Sequence, residues 1–385
     1  MNDTFLDKSY LLDTLAELLA IPSPSGYTDN VVHYIASKLE QLNIEFELTR
    51  RGAIRANIPG KVGSPDRGIV AHIDTLGAMV KALKDNGRLE IVPVGSWSSR
   101  FAEGGRVAIF KDKGFARGTI LPLKASGHTF NEEIDQQPVA WTNVEVRIDE
   151  FVTSKQDLIE HGFHVGDYLA LDPGLEITST GFINSRYLDN KAGAATLLAA
   201  AKAVVENKII LPVDCHLLFT ISEEVGVGAS AVLHGDVAEM VSIDNSTPAP
   251  GQNSSDYGVT IAMKDSSGPF DWHLTKRLIQ LCQQNNIEHS RDVFKYYRCD
   301  AASAVEAGND LRTALICFAA DGSHGYERTH VNSLLELGKL IFHYIQSDLV
   351  IQRDRKELSS SIQDFPRQPF DMQVIPPNFR ADLDS

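Results

Sequence analysis

Residues 189–222 read DNKAGAATLLAAAKAVVENKIILPVDCHLLFTIS, and two segments of this stretch decide the fold. Residues 189–207 are alanine-rich, the composition of a long helix. Residues 213–222 form a shorter run of apolar and β-branched residues, which reads as a buried strand. A helix alternating with buried strands implies a three-layer α/β/α sandwich with a mostly parallel central sheet.

Downstream, the strand runs into EEVGVGAS at 223–230, where two adjacent carboxylates, Glu223 and Glu224, meet a glycine-punctuated loop. Side chains alternate along a strand, so the two point to opposite sides if the strand continues through them. A carboxylate at the end of a buried strand is costly unless a cation or a proton compensates it.

Upstream, residues 9–20 have helical periodicity that IPSPSG at 21–26 breaks, and 28–42 repeat the pattern with Thr28 as the expected N-cap. Strands are expected near 44–49 and over GIVAHID at 68–74, and a further helix over 274–287. Between about 77 and 172 the texture changes to short β-type runs divided by glycine and charged turns: GAMVKAL, GRLEIVPV, GRVAIFKD, ARGTILPL and NVEVRIDEF. The expected organisation is therefore an α/β domain over 1–76 and 173–352, interrupted at 77–172 by a small β-barrel-like insertion. A polar tail follows at 353–385.

With 385 residues, 43% of them hydrophobic, the chain can bury a large core. Its 51 acidic and 36 basic residues give a formal charge of −15, which argues against a nucleic-acid or membrane-surface partner. The four cysteines are scattered without CxxC spacing, no apolar run approaches the length of a membrane helix, and MNDTFLDKSY is unlike a secretory leader. A cytoplasmic protein is expected.

In open α/β sheets ligands sit at the carboxyl ends of strands. Metal-competent residues recur there: His72 and Asp74 in IVAHIDTLG, Asp189 in SRYLDNKAG, Glu223 and Glu224, Asp244 in MVSIDN, and His324 and His330 in DGSHGYERTH. Taken singly, each has an ordinary explanation: a helix cap for Asp189, a turn for Asp244, a polar loop for the late histidines. Five strand ends carrying imidazole or oxygen donors together are harder to explain that way. Two histidines and three carboxylates suit two divalent ions with open positions, and one further glutamate suits proton transfer in metal-assisted hydrolysis.

The order HxD, DN(K/R)xG, EEVG, a short strand ending in Asp and a late His resembles the dinuclear-metal aminopeptidases of the tetrahedral (TET) and glutamyl-aminopeptidase family. AHIDTLGAMVKAL, EEVGVGAS and RCDAASAVEAG resemble further segments of that family, and the likeness extends to about residue 350. The resemblance implies that Asp189 bridges two metals, zinc or cobalt, with His72 and Asp244 completing one shell and Glu224 and His324 the other. It implies Glu223 as general base and Asp74 as the group that orients His72. It also implies short peptide substrates and a homo-oligomer of dimers, up to a dodecamer, with the β insertion serving dimerisation and substrate access. Its context suggests the subgroup linked to bacterial osmoprotectant dipeptide metabolism.

Thr75 and Asn190-Lys191 depart from the family's usual residues, and Glu327 follows His324 by three positions where four is common, so His330 stays a rival ligand. A carboxypeptidase or deacylase on the same scaffold is the alternative enzyme, with Arg186, Lys191, Arg298 and Arg312 available as a carboxylate clamp. Lys295 or Arg298 would hint at acidic substrates. A catalytically silent scaffold is the non-enzymatic alternative.

Overall fold

The long apolar helix spans Leu188–Glu206, and its side chains from Leu188 to Ala201 are all buried. It belongs to a computed structural model that describes residues 5–350 and 368–369. The polar tail expected at 353–385 therefore lies outside the described residues, apart from Gln368 and Pro369.

The strand after this helix, Leu211–Thr220, is an inner strand of a nine-stranded sheet. It pairs in parallel with Gly60–His72, which pairs in parallel with Val237–Ser246, which pairs in parallel with Arg312–Ala319. Both flanks turn antiparallel: Ile54–Ile58 and Glu45–Leu48 on one side, Val259–Asp265 on the other. Helix Leu188–Glu206 packs against Lys8–Ala20, Val331–Ile345 and the central strands, and Asp29–Gln41 covers the Glu45–Leu48 edge. The fold is the expected α/β/α sandwich. Thr28 occupies the N-cap of Asp29–Gln41, although its side chain makes no capping bond.

Six strands close a barrel in the order Gly77–Leu83, Leu89–Val94, Val144–Ile148, Phe115–Pro122, Arg106–Phe110 and Tyr168–Leu171. Five of these match the short β runs in the sequence. The closing strand, Tyr168–Leu171, pairs with both Gly77–Leu83 and Arg106–Phe110. Short helices at Gly127–Phe130, Glu133–Gln136 and Lys155–Glu160 interrupt the run, so the insertion is not purely β.

One pole of the sandwich gathers the chemistry because the central strands are parallel. His72 is the last residue of its strand and pairs with Thr220, the last of its own. Asp244 lies two residues before the end of Val237–Ser246. The first barrel strand begins at Gly77, five residues after His72, so the barrel stands at this same pole. The strand does not continue through Glu223 and Glu224, so alternation along it does not set their directions. It stops at Thr220, and a tight turn takes over, in which Gly226 N donates to Glu223 O and Gly228 N to Ser222 O.

Candidate metal centre

Asp189 is placed by a break in its own helix. Tyr187 takes a left-handed conformation (φ 69°), and Asp189 and Asn190 are non-helical around a cis peptide bond. Asn190 Nδ2 donates to Ile243 O at 2.6 Å, which fixes Asp189 beside the strand end that carries Asp244. The Asp189 carboxylate is 6% exposed and receives two imidazoles. His72 Nε2 lies 3.1 Å from Oδ1, and His324 Nε2 lies 3.4 Å from Oδ2.

The other nitrogen of each ring faces a backbone carbonyl: His72 Nδ1 is 3.0 Å from Asp74 O, and His324 Nδ1 is 2.8 Å from Ser96 O. A carbonyl oxygen can only accept, so both Nδ1 atoms carry hydrogen. In the neutral ring, each Nε2 then aims a lone pair at a carboxylate oxygen. Acceptor facing acceptor at this range requires a proton or a cation between them.

The remaining carboxylates tighten that requirement. Ligand atoms of His72, Asp189 and Glu224 all fall within 4.8 Å of one another. Glu223 Oε2 stands 3.8 Å from His72 Nε2, and Glu224 Oε2 stands 3.6 Å from His324 Nε2. Asp244, 3% exposed, lines the same cleft as Asp189, Glu223 and Glu224. Burial, then mutual repulsion, drives Glu223, Glu224 and Asp244 well above the usual carboxylate range. Burial raises Asp189 too, but hydrogen bonds from His324 and His72 outweigh it and hold this carboxyl below its ordinary value. Burial would lower His324, yet Asp189 and Glu224 push it up to about 11. Such a site has excess negative charge for its depth. Its donors are imidazole nitrogen and carboxylate oxygen, the set that zinc and similar divalent ions take.

Asp74 does more than was expected of it. Its backbone carbonyl, not its carboxylate, makes the closer contact to His72. The carboxylate accepts from Ser25 Oγ at 2.5 Å, Glu223 N at 3.1 Å and Glu224 N at 3.4 Å, so it holds the glutamate turn. Burial raises its pKa above the ordinary value all the same.

Two further buried carboxylates had no assigned role. Glu327 accepts from both Asp189 N and His324 N at 3.1 Å, and burial followed by repulsion from Asp189 pushes it up to about 8. Asp300 accepts from Thr220 Oγ1 at 2.6 Å, and a Cβ at Gly228 would come within 1.7 Å of its Oδ1. The sequence signals were the nearness of Glu327 to His324 and, for Asp300, its place in RCDAASAVEAG, a segment noted only for its family likeness.

His330 is elsewhere. Its Nδ1 accepts from Asn332 N as the cap of helix Val331–Ile345, and its Nε2 faces Thr180 O at 3.0 Å. Among the four candidate clamp residues, Lys191 donates to the carbonyls of Leu18 and Ile21, and Arg312 pairs with Asp271. Arg186 lines a small cavity beside Glu327. Only Arg298 lines the main cleft, where Glu306 holds it at 2.7 Å; Lys295 lines the cleft as well. The cleft measures about 840 Å³.

The profile of the M42 glutamyl aminopeptidase family matches residues 52–340. The Bacillus subtilis (strain 168) protein YhfE is 38% identical over 344 residues, covering 88% of this chain and 98% of that one. Among solved structures, the TET aminopeptidase of the marine sediment archaeon Thaumarchaeota archaeon SCGC AB-539-E09 superposes with a TM-score of 0.79 at 19% identity, over 87% of this chain and 96% of that chain. The TET1 peptidase of Pyrococcus horikoshii, which assembles into a tetrahedron or a large octahedral shell, gives 0.78 at 22% identity, over 88% and 100%.

Proposed function

The chain belongs to the M42 glutamyl aminopeptidase family, and from that premise we propose that it is a dinuclear-metal aminopeptidase, using zinc or cobalt, that removes N-terminal residues from short peptides. One observation carries this reading: two imidazole Nε2 atoms converge on the two oxygens of a single buried carboxylate. Asp189 would span the two ions, with His72 and Asp244 on one side and Glu224 and His324 on the other. When bound, such an ion pair supplies Lewis-acid polarisation of the peptide carbonyl and acidifies a water.

The protein's own groups do the rest. Glu223 lines the cleft beside His72, and among the described residues no hydrogen-bond donor engages its carboxylate, which leaves it free to accept the proton of the attacking water. Asp74 holds the backbone of both glutamates and so sets how Glu223 and Glu224 divide between proton transfer and ion binding. The four free, buried cysteines accord with a reducing, cytoplasmic setting. Among the described residues no helix is long and apolar enough to cross a membrane.

The test joins metal analysis to a substrate panel. Two ions per chain, hydrolysis of aminoacyl anilides and inertness toward N-acetylated peptides are expected. Release of C-terminal residues from N-blocked peptides would overturn the reading in favour of a carboxypeptidase.

A further inference from the structure

The barrel reaches into the metal centre through its backbone. Residues 95–98 connect barrel strand Leu89–Val94 to the short turn Ser99–Phe101. Ser96 in this segment supplies the carbonyl that orients His324, 228 positions away in sequence. The two imidazoles are thus oriented from different parts of the molecule. His72 takes its carbonyl from Asp74 in the α/β body, whereas His324 takes its carbonyl from the insertion.

The segment is held tightly. Gly95 has φ 83°, and a Cβ there would come within 2.5 Å of Leu76 Cδ2 and 3.4 Å of Glu224 O. The next residue but one is its anchor. Trp97 Nε1 donates to Gly77 O at 3.0 Å, the Trp97 carbonyl accepts from Trp141 Nε1 at 3.2 Å, and the two indoles meet edge to face at 4.7 Å. Trp97 also lines the small cavity bounded by Glu224 and His324.

We infer that Trp97 is a positioning residue for the His324 half of the metal centre, acting through the carbonyl of Ser96. With the indole pair in place, Ser96 O accepts from Nδ1–H and keeps Nε2 aimed at Asp189 and Glu224. Without it the imidazole loses its fixed orientation, and that half of the centre loses affinity while the His72 half does not. Removing an outer partner of a metal-bound histidine typically lowers affinity by about 10–100-fold. The inference rests on the metal-centre reading above.

The experiment is calorimetric titration of the full-length, chelator-treated protein with zinc chloride. The unaltered protein should bind two ions. Trp97→Ala should weaken one site by roughly 10–100-fold, leave the other unchanged, and add nothing when His324→Ala is already present. Gly95→Ala should act in the same direction. Gly104→Ala is its control, because Gly104 has a similar φ of 78° but a Cβ there meets nothing within 4 Å. Unchanged affinities in both Trp97→Ala and Gly95→Ala would overturn the inference. So would equal weakening of both sites, or an undiminished effect of Trp97→Ala in the His324→Ala background. If Trp97→Ala does not fold, Trp97→Phe, which keeps a ring and loses the donor to Gly77 O, decides on the same two-site readout. An unaltered protein that binds fewer than two zinc ions would instead remove the metal-centre reading itself.

Discussion

Glu223 and Glu224 are adjacent in the chain yet face different histidines: Glu223 Oε2 is near His72 and Glu224 Oε2 near His324. The turn that begins after Thr220 produces this divergence, and Asp74 fixes it by accepting from both amides. Glu223→Gln keeps the shape and removes the proton acceptor, so metal content and fold should persist while turnover falls by about 10²–10⁴-fold. Glu224→Gln should lose one ion and regain part of its activity in excess zinc or cobalt. Metal analysis and initial rates on both variants check this, and the opposite pattern would exchange the roles. The late histidines separate in the same way. His324→Ala should lose an ion, whereas His330→Ala should keep both and lose about 1 kcal/mol as a helix cap, measured by zinc content and thermal melting.

At the scale of elements, the barrel contains a charge cluster whose pH dependence has a definite sign. Glu145 on strand Val144–Ile148 is 1% exposed and accepts from Lys84 Nζ at 2.5 Å and from Arg88. Burial raises its pKa, but the two cationic partners outweigh burial and hold it below its ordinary 4.5. Its folded pKa is thus below the unfolded one, so its stabilisation is complete above pH 4.5 and is lost as the pH falls through the lower value. Glu145→Gln should destabilise the barrel by about 1–2 kcal/mol at pH 7, a modest loss because Lys84 and Arg88 are about a third exposed. The gap between the two proteins should close under acid. Unfolding followed by the fluorescence of Trp97 and Trp141, both in the insertion, reports it; a gap that widened under acid would contradict the ion-pair account.

Across the whole molecule, periodicity and residue chemistry carried the reading a long way. The helix at Leu188–Glu206 and the strand at Leu211–Thr220 follow from apolar pattern alone. The site residues stood out because carboxylates and imidazoles at strand ends are rare enough to notice. What escaped notice has a common cause. Tyr168–Leu171 is four residues long and becomes a strand only because two barrel neighbours complete it. Asp300 and Glu327 act through backbone amides and a threonine hydroxyl, contacts that exist only after folding. We propose that the barrel also carries the self-association expected of residues 77–172. Phe115, Phe151 and Val165 lie there, 63%, 99% and 65% exposed. Replacing all three by serine should lower the assembly mass in light scattering and leave the zinc content unchanged. An undiminished mass would place the contact elsewhere.

Both imidazoles are oriented by peptide carbonyls, Asp74's and Ser96's. A main-chain oxygen is present whatever letter the gene writes at that position, so mutation one letter at a time can hardly erase it. Slippage in length can. In a saturation library, position 96 should therefore tolerate most replacements, while loss of one codon between Val94 and Ser99 should cost the zinc ion on the His324 side and spare the one on the His72 side. Descendants of this gene would then inherit the spacing of that loop more faithfully than its spelling at position 96.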